Sequence, residues 1–411
     1  MFFIGRTRFS LFVPTSASWR LTLAHGGNPE DSYRKELYDD ERLRIREEIF
    51  TKHTLPSLAL AAAEHDVTHV VSYSESLPAK YKESLANEAE KYPFLLLDEQ
   101  PDGKIGQSLL AIAKKKAEPG EVFGQYRLDD DDVLATDYFD RMAKFIRPSY
   151  TGMVVSFPLG IESILDNGQV FNLKSAHFPM NSMGLMYVCR MNNQGRIIAP
   201  KNGAHNMADR DNAVIIDSRE IGYFRFNHVG QDNALKMSNG PSLQMLRKQM
   251  ERYPDFEDHE KLAKLFPTIP QIIGAEEEVD LLPEVQKVRT PFNVPLEVPV
   301  GTVTLEVKHS FPEDSKARKA LVTLEIVDLE GNAVSEQTAF PGIPRSTKKS
   351  IGHYKYLNSV SGEGTTKIDV SLPDGYRLKS FTLRRFGLRS KPFHVNAITA
   401  RYPKGENPTQ L

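Results

Sequence analysis

Cysteine is nearly missing from this 411-residue chain: Cys189 is the only one, which excludes an internal disulfide framework and a zinc site built on cysteine. A reducing cytoplasm fits that usage. An excess of one charge is missing as well. The 52 Lys and Arg nearly balance the 54 Asp and Glu, leaving a formal net charge of -2. No basic run interleaved with aromatics occurs, so nothing points to nucleic acid as a partner. No apolar stretch approaches the roughly 20 residues of a membrane span. The apolar start, Met1 to Val13, is broken by Arg6 and Arg8 and reads as a first buried strand, not as a signal peptide. Peripheral contact with the inner face of the cell membrane stays open. Repeats and low-complexity tracts are absent, and the single tryptophan, Trp19, is read as packing rather than as a sugar platform.

With 40% hydrophobic and 26% charged residues, the chain is long enough for two domains with cores of their own. Helical patterns at Asp40 to Phe50, Leu55 to Ala63, Ala79 to Tyr92 and Gly106 to Lys116 alternate with strand-like runs. Those runs are His69 to Ser72, Phe94 to Leu97, Val122 to Leu128 and Met153 to Phe157. The alternation predicts an α/β domain over 1–270, a mostly parallel sheet flanked by helices. Prolines and acidic residues over 271–292 read as a linker. From 293 to 411 the apolar period becomes two, as in Val303, Leu305 and Val307, with turns at Gly331-Asn332 and Asp374-Gly375. This predicts a small all-β, sandwich-like domain. Its 17 basic and 12 acidic residues give it +5. Glycan binding, subunit contact in a homo-oligomer, and simple coverage of the first domain are its candidate roles.

Asp129, Asp130, Asp131 and Asp132 follow directly on the apolar strand that begins at Val122. Gathering four like charges at one strand end raises their pKa values unless a cation is supplied. Mg²⁺ or Mn²⁺ takes carboxylate and phosphate oxygens together, which suits a nucleoside diphosphate. The bland reading is a solvated acidic turn that caps the next helix. Ligands of parallel sheets sit beyond the carboxyl ends of strands, where this run lies.

The run resembles the Asp-x-Asp motif of glycosyltransferases with the GT-A fold. A longer series resembles the bacterial putative rhamnosyltransferase family: Arg8-Phe9-Ser10, Glu41 to Arg46 with Phe50, Thr54 to Leu58, Ser74, Leu77-Pro78, Tyr81, Leu85, and Arg127 to Asp132. That resemblance covers roughly the first 240 residues. It implies a nucleotide-sugar donor and a saccharide or glycolipid acceptor, with Asp129 near the nucleotide or the metal and Asp131 on a divalent metal ion. Asp132 would face the transferred sugar and Asp130 would point away. His228, in Phe224 to Asn233, resembles the late histidine ligand of such folds; a hydrogen-bonded histidine at a strand end is the alternative, and the role of Asn233 stays open.

Arg8, Ser74 and Arg127 are candidates for meeting the nucleotide or its phosphates, since arginine offers a planar fork of donors. For the base that activates the acceptor hydroxyl, His205 and Asp217 are preferred over Asp209 and Asp211, because each borders an apolar run. Two other classes fit the same residues. One is an inactive glycan-binding or scaffolding protein on a transferase-like fold; the other is a metal-dependent nucleotidyltransferase or phosphohydrolase.

Overall fold

Phe3–Arg8 opens on apolar Phe3 and Ile4 and ends on Arg6, Thr7 and Arg8, which suits a strand buried on both faces except at its carboxyl end. In the computed structural model it is β1, an interior strand of the main sheet. The structure describes residues 1–14, 29–106, 108–166, 168–228, 231, 246, 249–250, 252–274, 276–313, 315–335, 338–340, 343–373, 375–387 and 390–403. Trp19 and Asn233 lie outside the described residues.

Two parallel strands flank β1: β2 (Val67–Ser74) and β4 (Val122–Arg127). β3 (Leu95–Gln100) continues the sheet in parallel beyond β2. Past β4 come β9 (Met186–Met191), which is antiparallel and also pairs with the short β10 (Ile197–Ile198), and then β6 (Val154–Ser156) and β11 (Val214–Ile216). The order β11-β6-β9-β4-β1-β2-β3 is the expected mostly parallel sheet, with β9 as the reversed strand. Chain order changes direction at β1, with β2 on one side and β4 on the other. The ends of β1 and β4 therefore form a switch-point crevice of the kind in which ligands of α/β sheets bind.

Helices α1 (Pro29–Leu37), α2 (Asp40–Ile49), α3 (Leu55–Ala62), α4 (Ala79–Lys91) and α5 (Ser108–Lys116) fill the connections. Asp39 caps α2 by accepting from the Arg42 amide at 3.0 Å, the usual service of an aspartate there. A π-turn, Phe50–Thr54, joins α2 to α3. Pro56, at the start of α3, cannot donate into an α-helical ladder, and the wider turn absorbs that loss.

A second sheet was not anticipated. It comprises β5 (Asp132–Leu134), β12 (Tyr223–Asn227), β7 (Leu159–Asp166) and β8 (Gln169–His177), in the order β5-β12-β7-β8. Asp132, Arg225, Glu162 and Lys174 are register partners across its four strands.

The described residues from 274 onward form a separate compact unit. Its core, including Val303, Leu305, Val322, Leu324, Phe381 and Ile398, draws on two sheets, so it is a sandwich. The expected linker over 271–292 needs correction. Glu276–Asp280 and Gln286–Val288 are strands paired antiparallel with Phe393–Pro403. Their acidic, proline-flanked sequences hid an edge position, where polar side chains are tolerated. Gly331 turns at φ 83, while Asp374 lies outside the described residues. Among the described residues no helix is long and apolar enough to cross a membrane.

Gly5 marks a close approach within the main sheet. A Cβ there would lie 2.2 Å from the Tyr126 ring and 2.4 Å from His69 Nδ1, two groups already joined to each other at 2.8 Å. Gly5→Ala is expected to cost about 1–3 kcal/mol by overpacking. Urea unfolding measures this, and an unchanged midpoint would mean that the ring pair yields freely.

Candidate functional site

The acidic run begins where β4 ends. Asp129 stays on the rim, its side chain 44% exposed and 3.4 Å from the Arg127 guanidinium. The next three carboxylates turn inward, and Asp130, Asp131 and Asp132 are all buried. Buried like charges of this kind need cations close by, and helix and strand supply them. Arg46, on α2, hydrogen-bonds Asp130 and lies 3.4 Å from Asp131. Arg225, on β12, lies 3.9 Å from Asp132 and 3.7 Å from Glu162. Thr54, the last residue of the π-turn, donates its hydroxyl to the Asp132 carbonyl at 2.9 Å. One helical segment thus holds the acidic run at two points.

The three buried acids are driven apart electrostatically. Burial pushes Asp130 up to about 6, with Asp131 adding to the rise and Arg46 opposing it. Burial also works against the charge of Asp131, but Arg46, the His228 ring and Arg225 outweigh it and hold that carboxyl well below the ordinary range. Asp132 is raised by burial and then by Asp131. Asp131 is therefore the member of the buried set whose charge is favoured most. The second oxygen of Asp130, Oδ1 of Asp132 and Oε1 of Glu162 lack a hydrogen-bond partner among the described residues.

His228, at the end of β12, is brought to Asp131 across nearly a hundred residues of sequence. Its Nε2 lies 3.7 Å from Asp131 Oδ2, longer than a hydrogen bond, and neither ring nitrogen has a partner among the described residues. Burial lowers its pKa against the pull of Asp131. Gln231 donates to the same Asp131 oxygen at 3.1 Å. Among the described residues no group of three metal-ligating side chains converges here.

His205 and Asp217 part company. His205 sits where Arg127, Asp129 and Arg225 act on it electrostatically, and its pKa is lowered, first by burial. Its Nδ1 lies 2.8 Å from the Met180 carbonyl. Only a protonated Nδ1 can make that bond, so Nε2 carries the lone pair of a base. Asp217 instead lines a cavity of about 810 Å³ with Arg141, Arg219, Lys261 and Lys264, a lining that includes none of the four run aspartates. Arg219 grips both its oxygens at 2.8 and 2.7 Å and holds it down at about 2, which makes it a weak base. Asp211 is likewise spent, on Lys201 at 2.7 Å.

Ser74 is fully buried and its hydroxyl accepts from the Phe12 amide at 2.8 Å. That bond shapes the chain beyond β1. Arg8, half-buried at the end of β1, has its pKa brought down to about 10 by burial and by Arg6 and Arg127. Sequence reasoning missed Arg46, Arg225, Glu162, Gln231 and Arg6 as site residues. One signal was in view: Arg42 and Arg46, one helical turn apart beside Leu43, Ile49 and Phe50, place two guanidiniums among residues that are buried.

A family model described as "Putative rhamnosyl transferase" matches residues 3–238. A search of curated proteins found no significant match. Among solved structures, S. aureus TarS residues 1–349 aligns at 12% identity over 61% of this chain and 69% of that one, with a TM-score of 0.29. The inositol-1-phosphate CTP transferase from T. maritima aligns at 10% identity over 61% and 97%, with a TM-score of 0.27. A xylan-binding module aligns at 9% identity over 31% and 96%, with a TM-score of 0.20. At such scores the fold rests on the strand order itself.

Removing Arg46 leaves two carboxylates buried without their cation. Arg46→Met is expected to destabilise the protein by about 3–5 kcal/mol, and adding Asp130→Asn is expected to restore part of that loss. Chemical denaturation of the single and double variants checks this. Additive losses would show that Arg46 and Asp130 do not stabilise each other.

Proposed function

The chain belongs to the family described as "Putative rhamnosyl transferase", and from that premise we propose that it moves a hexosyl group from a nucleotide sugar to a hydroxyl of a saccharide or glycolipid. The coarse class, a glycosyltransferase, follows from the family. Rhamnose is the sugar to test first. One observation carries the rest: an acidic run at the switch point of β1 and β4, with His228 and a base-competent His205 gathered to it from distant parts of the chain.

Each residue then has a task. Asp129, exposed and paired with Arg127, meets the donor at the mouth of the crevice. Asp132, held across the second sheet by Arg225, faces the transferred sugar. His205 Nε2 takes the proton from the acceptor hydroxyl while Met180 fixes the ring. Asp217 and Ser74 are left out of the chemistry.

A divalent ion, Mn²⁺ or Mg²⁺, has a partial seat in this chain. Asp131 and His228 offer an ionised carboxylate oxygen and an unpartnered ring nitrogen 3.7 Å apart, with Asp129 on the rim. One or two such ligands suffice when water and phosphate oxygens complete the sphere. When bound, the ion supplies positive charge opposite the departing diphosphate. The lone, buried Cys189 supports a reducing compartment, and we place the reaction in the cytoplasm, at the inner face of the membrane when the acceptor is a glycolipid.

The deciding experiment mixes the protein with nucleotide sugars, dTDP- and UDP-linked rhamnose included, and a panel of oligosaccharide acceptors, with products read by mass spectrometry. Acceptor-dependent gain of one glycosyl mass is expected, a deoxyhexosyl mass where rhamnose is transferred. Donor hydrolysis that ignores every acceptor would instead favour a hydrolase.

The pH dependence follows from His205. A base whose pKa is lowered works as the neutral ring, so activity is full at neutral pH and lost as pH falls through that lowered value. The acid limb of kcat/KM is therefore expected below about 6.5, the ordinary histidine value. His205→Ala is expected to slow transfer by about 10²–10⁴-fold and to abolish that limb. A limb that survives the substitution assigns the base elsewhere.

A further inference from the structure

Three guanidiniums crowd the carboxyl ends of β1 and β4 on one face of the main sheet. Arg6 and Arg127 are register partners on these neighbouring parallel strands, so their side chains leave the same face from backbones about 4.8 Å apart. Arg8, two residues beyond Arg6, rises on that face as well, beside Ser72 of β2. All three are half-buried. Like charges placed directly opposite each other in a sheet are destabilising. Here they act on one another: the pKa of Arg6 is lowered by burial and by Arg127, and that of Arg8 by burial, Arg6 and Arg127.

The acids that act on Arg127 and Arg6 are already engaged. Asp129 is ion-paired with Arg127 at 3.4 Å. Asp98 attracts Arg6, but its oxygens already accept from Ser72 at 2.9 Å, Ser108 at 2.8 Å and Gln100 at 2.7 Å. An anion would relieve such repulsion, and this crevice is where sheets of this order receive ligands. Guanidinium forks match phosphate oxygens two at a time.

We propose that Arg6, Arg8 and Arg127 together form a seat for the diphosphate of a nucleoside diphosphate, and that this seat binds it without a metal ion. The proposal rests on the donor reading above and extends it. Asp131 and His228 would hold the ion that supports departure, while the arginines carry the affinity. Arg6 becomes a binding residue, and Asp129 the counter-charge that Arg127 exchanges for phosphate.

The test is calorimetric titration of the full chain with UDP, GDP, CDP and dTDP, in EDTA and in Mn²⁺, on wild type, Arg6→Gln and Arg6→Lys. At least one nucleoside diphosphate is expected to bind in EDTA, and inorganic pyrophosphate to compete with it. Arg6→Gln is expected to weaken binding by about tenfold or more, with Arg6→Lys in between. Unligated Arg6→Gln is expected to melt at or above the wild-type temperature, because one repelling charge is gone. A nucleotide that binds only in Mn²⁺, with Arg6→Gln equal to wild type, overturns the seat and leaves the transferase reading standing. No binding under either condition overturns both. Arg6→Gln that melts lower yet binds normally makes Arg6 a structural residue and also overturns the proposal, as does pyrophosphate that fails to compete.

Discussion

The Arg46 guanidinium, held between Asp130 and Asp131 in a place closed to water, is the contact on which the site depends. Three carboxylates buried within one short turn would otherwise lose their protons only at great cost, and the loop would have to open to solvent. The guanidinium lets the loop stay folded inward with Asp131 ionised. Arg46 reaches that position because α2 is capped at Asp39 and anchored by Arg42, which donates to Ser10 at 3.1 Å and to the Leu37 carbonyl at 2.8 Å. The π-turn then brings Thr54 to the Asp132 carbonyl. Helix, turn and acidic run form one mechanical unit.

The second sheet extends the same principle. Asp132, Arg225, Glu162 and Lys174 alternate in sign along one row of partners, and Lys174 ends on Asp255 at 2.5 Å, near the surface. Asn227 donates to the other oxygen of Glu162 at 2.7 Å. Charges that alternate at strand spacing attract their neighbours on both sides, so a buried row is tolerated where a buried pair of like charges is not. The row holds Asp132 while Arg46 holds Asp130 and Asp131. Between these two braces the crevice at β1 and β4 stays preformed, which is what positioning a donor requires.

Much of the main sheet was legible because its strands and helices carry clean periods: Asp40 to Ile49, Ala79 to Lys91 and Val122 to Arg127 lie close to where the residues suggest. The second sheet was not, because Leu159–Asp166 and Tyr223–Asn227 hide a charge within an apolar run, and one charge there reads as a break. Its meaning emerges only when Glu162 and Arg225 are seen side by side. The segment read as a linker failed for a related reason: edge strands carry polar residues that look like loop. At the site, the acidic run announced itself by composition, and His228, named through the resemblance, lies 3.7 Å from Asp131. The cations that make burial tolerable come from remote positions, 46 and 225, and pairing of that kind has no local signature. Asp217 shows the converse, since the apolar run beside it conceals that Arg219, two residues on, occupies it.

The most direct test of the account is a crystal structure of the full chain grown with the nucleotide sugar that it uses. The account predicts the diphosphate beyond the carboxyl ends of β1 and β4, within hydrogen-bond reach of Arg127, with the sugar directed toward His205 and Asp132. A ligand seated instead in the cavity lined by Asp217 and Lys264, with the acidic run untouched, would contradict it.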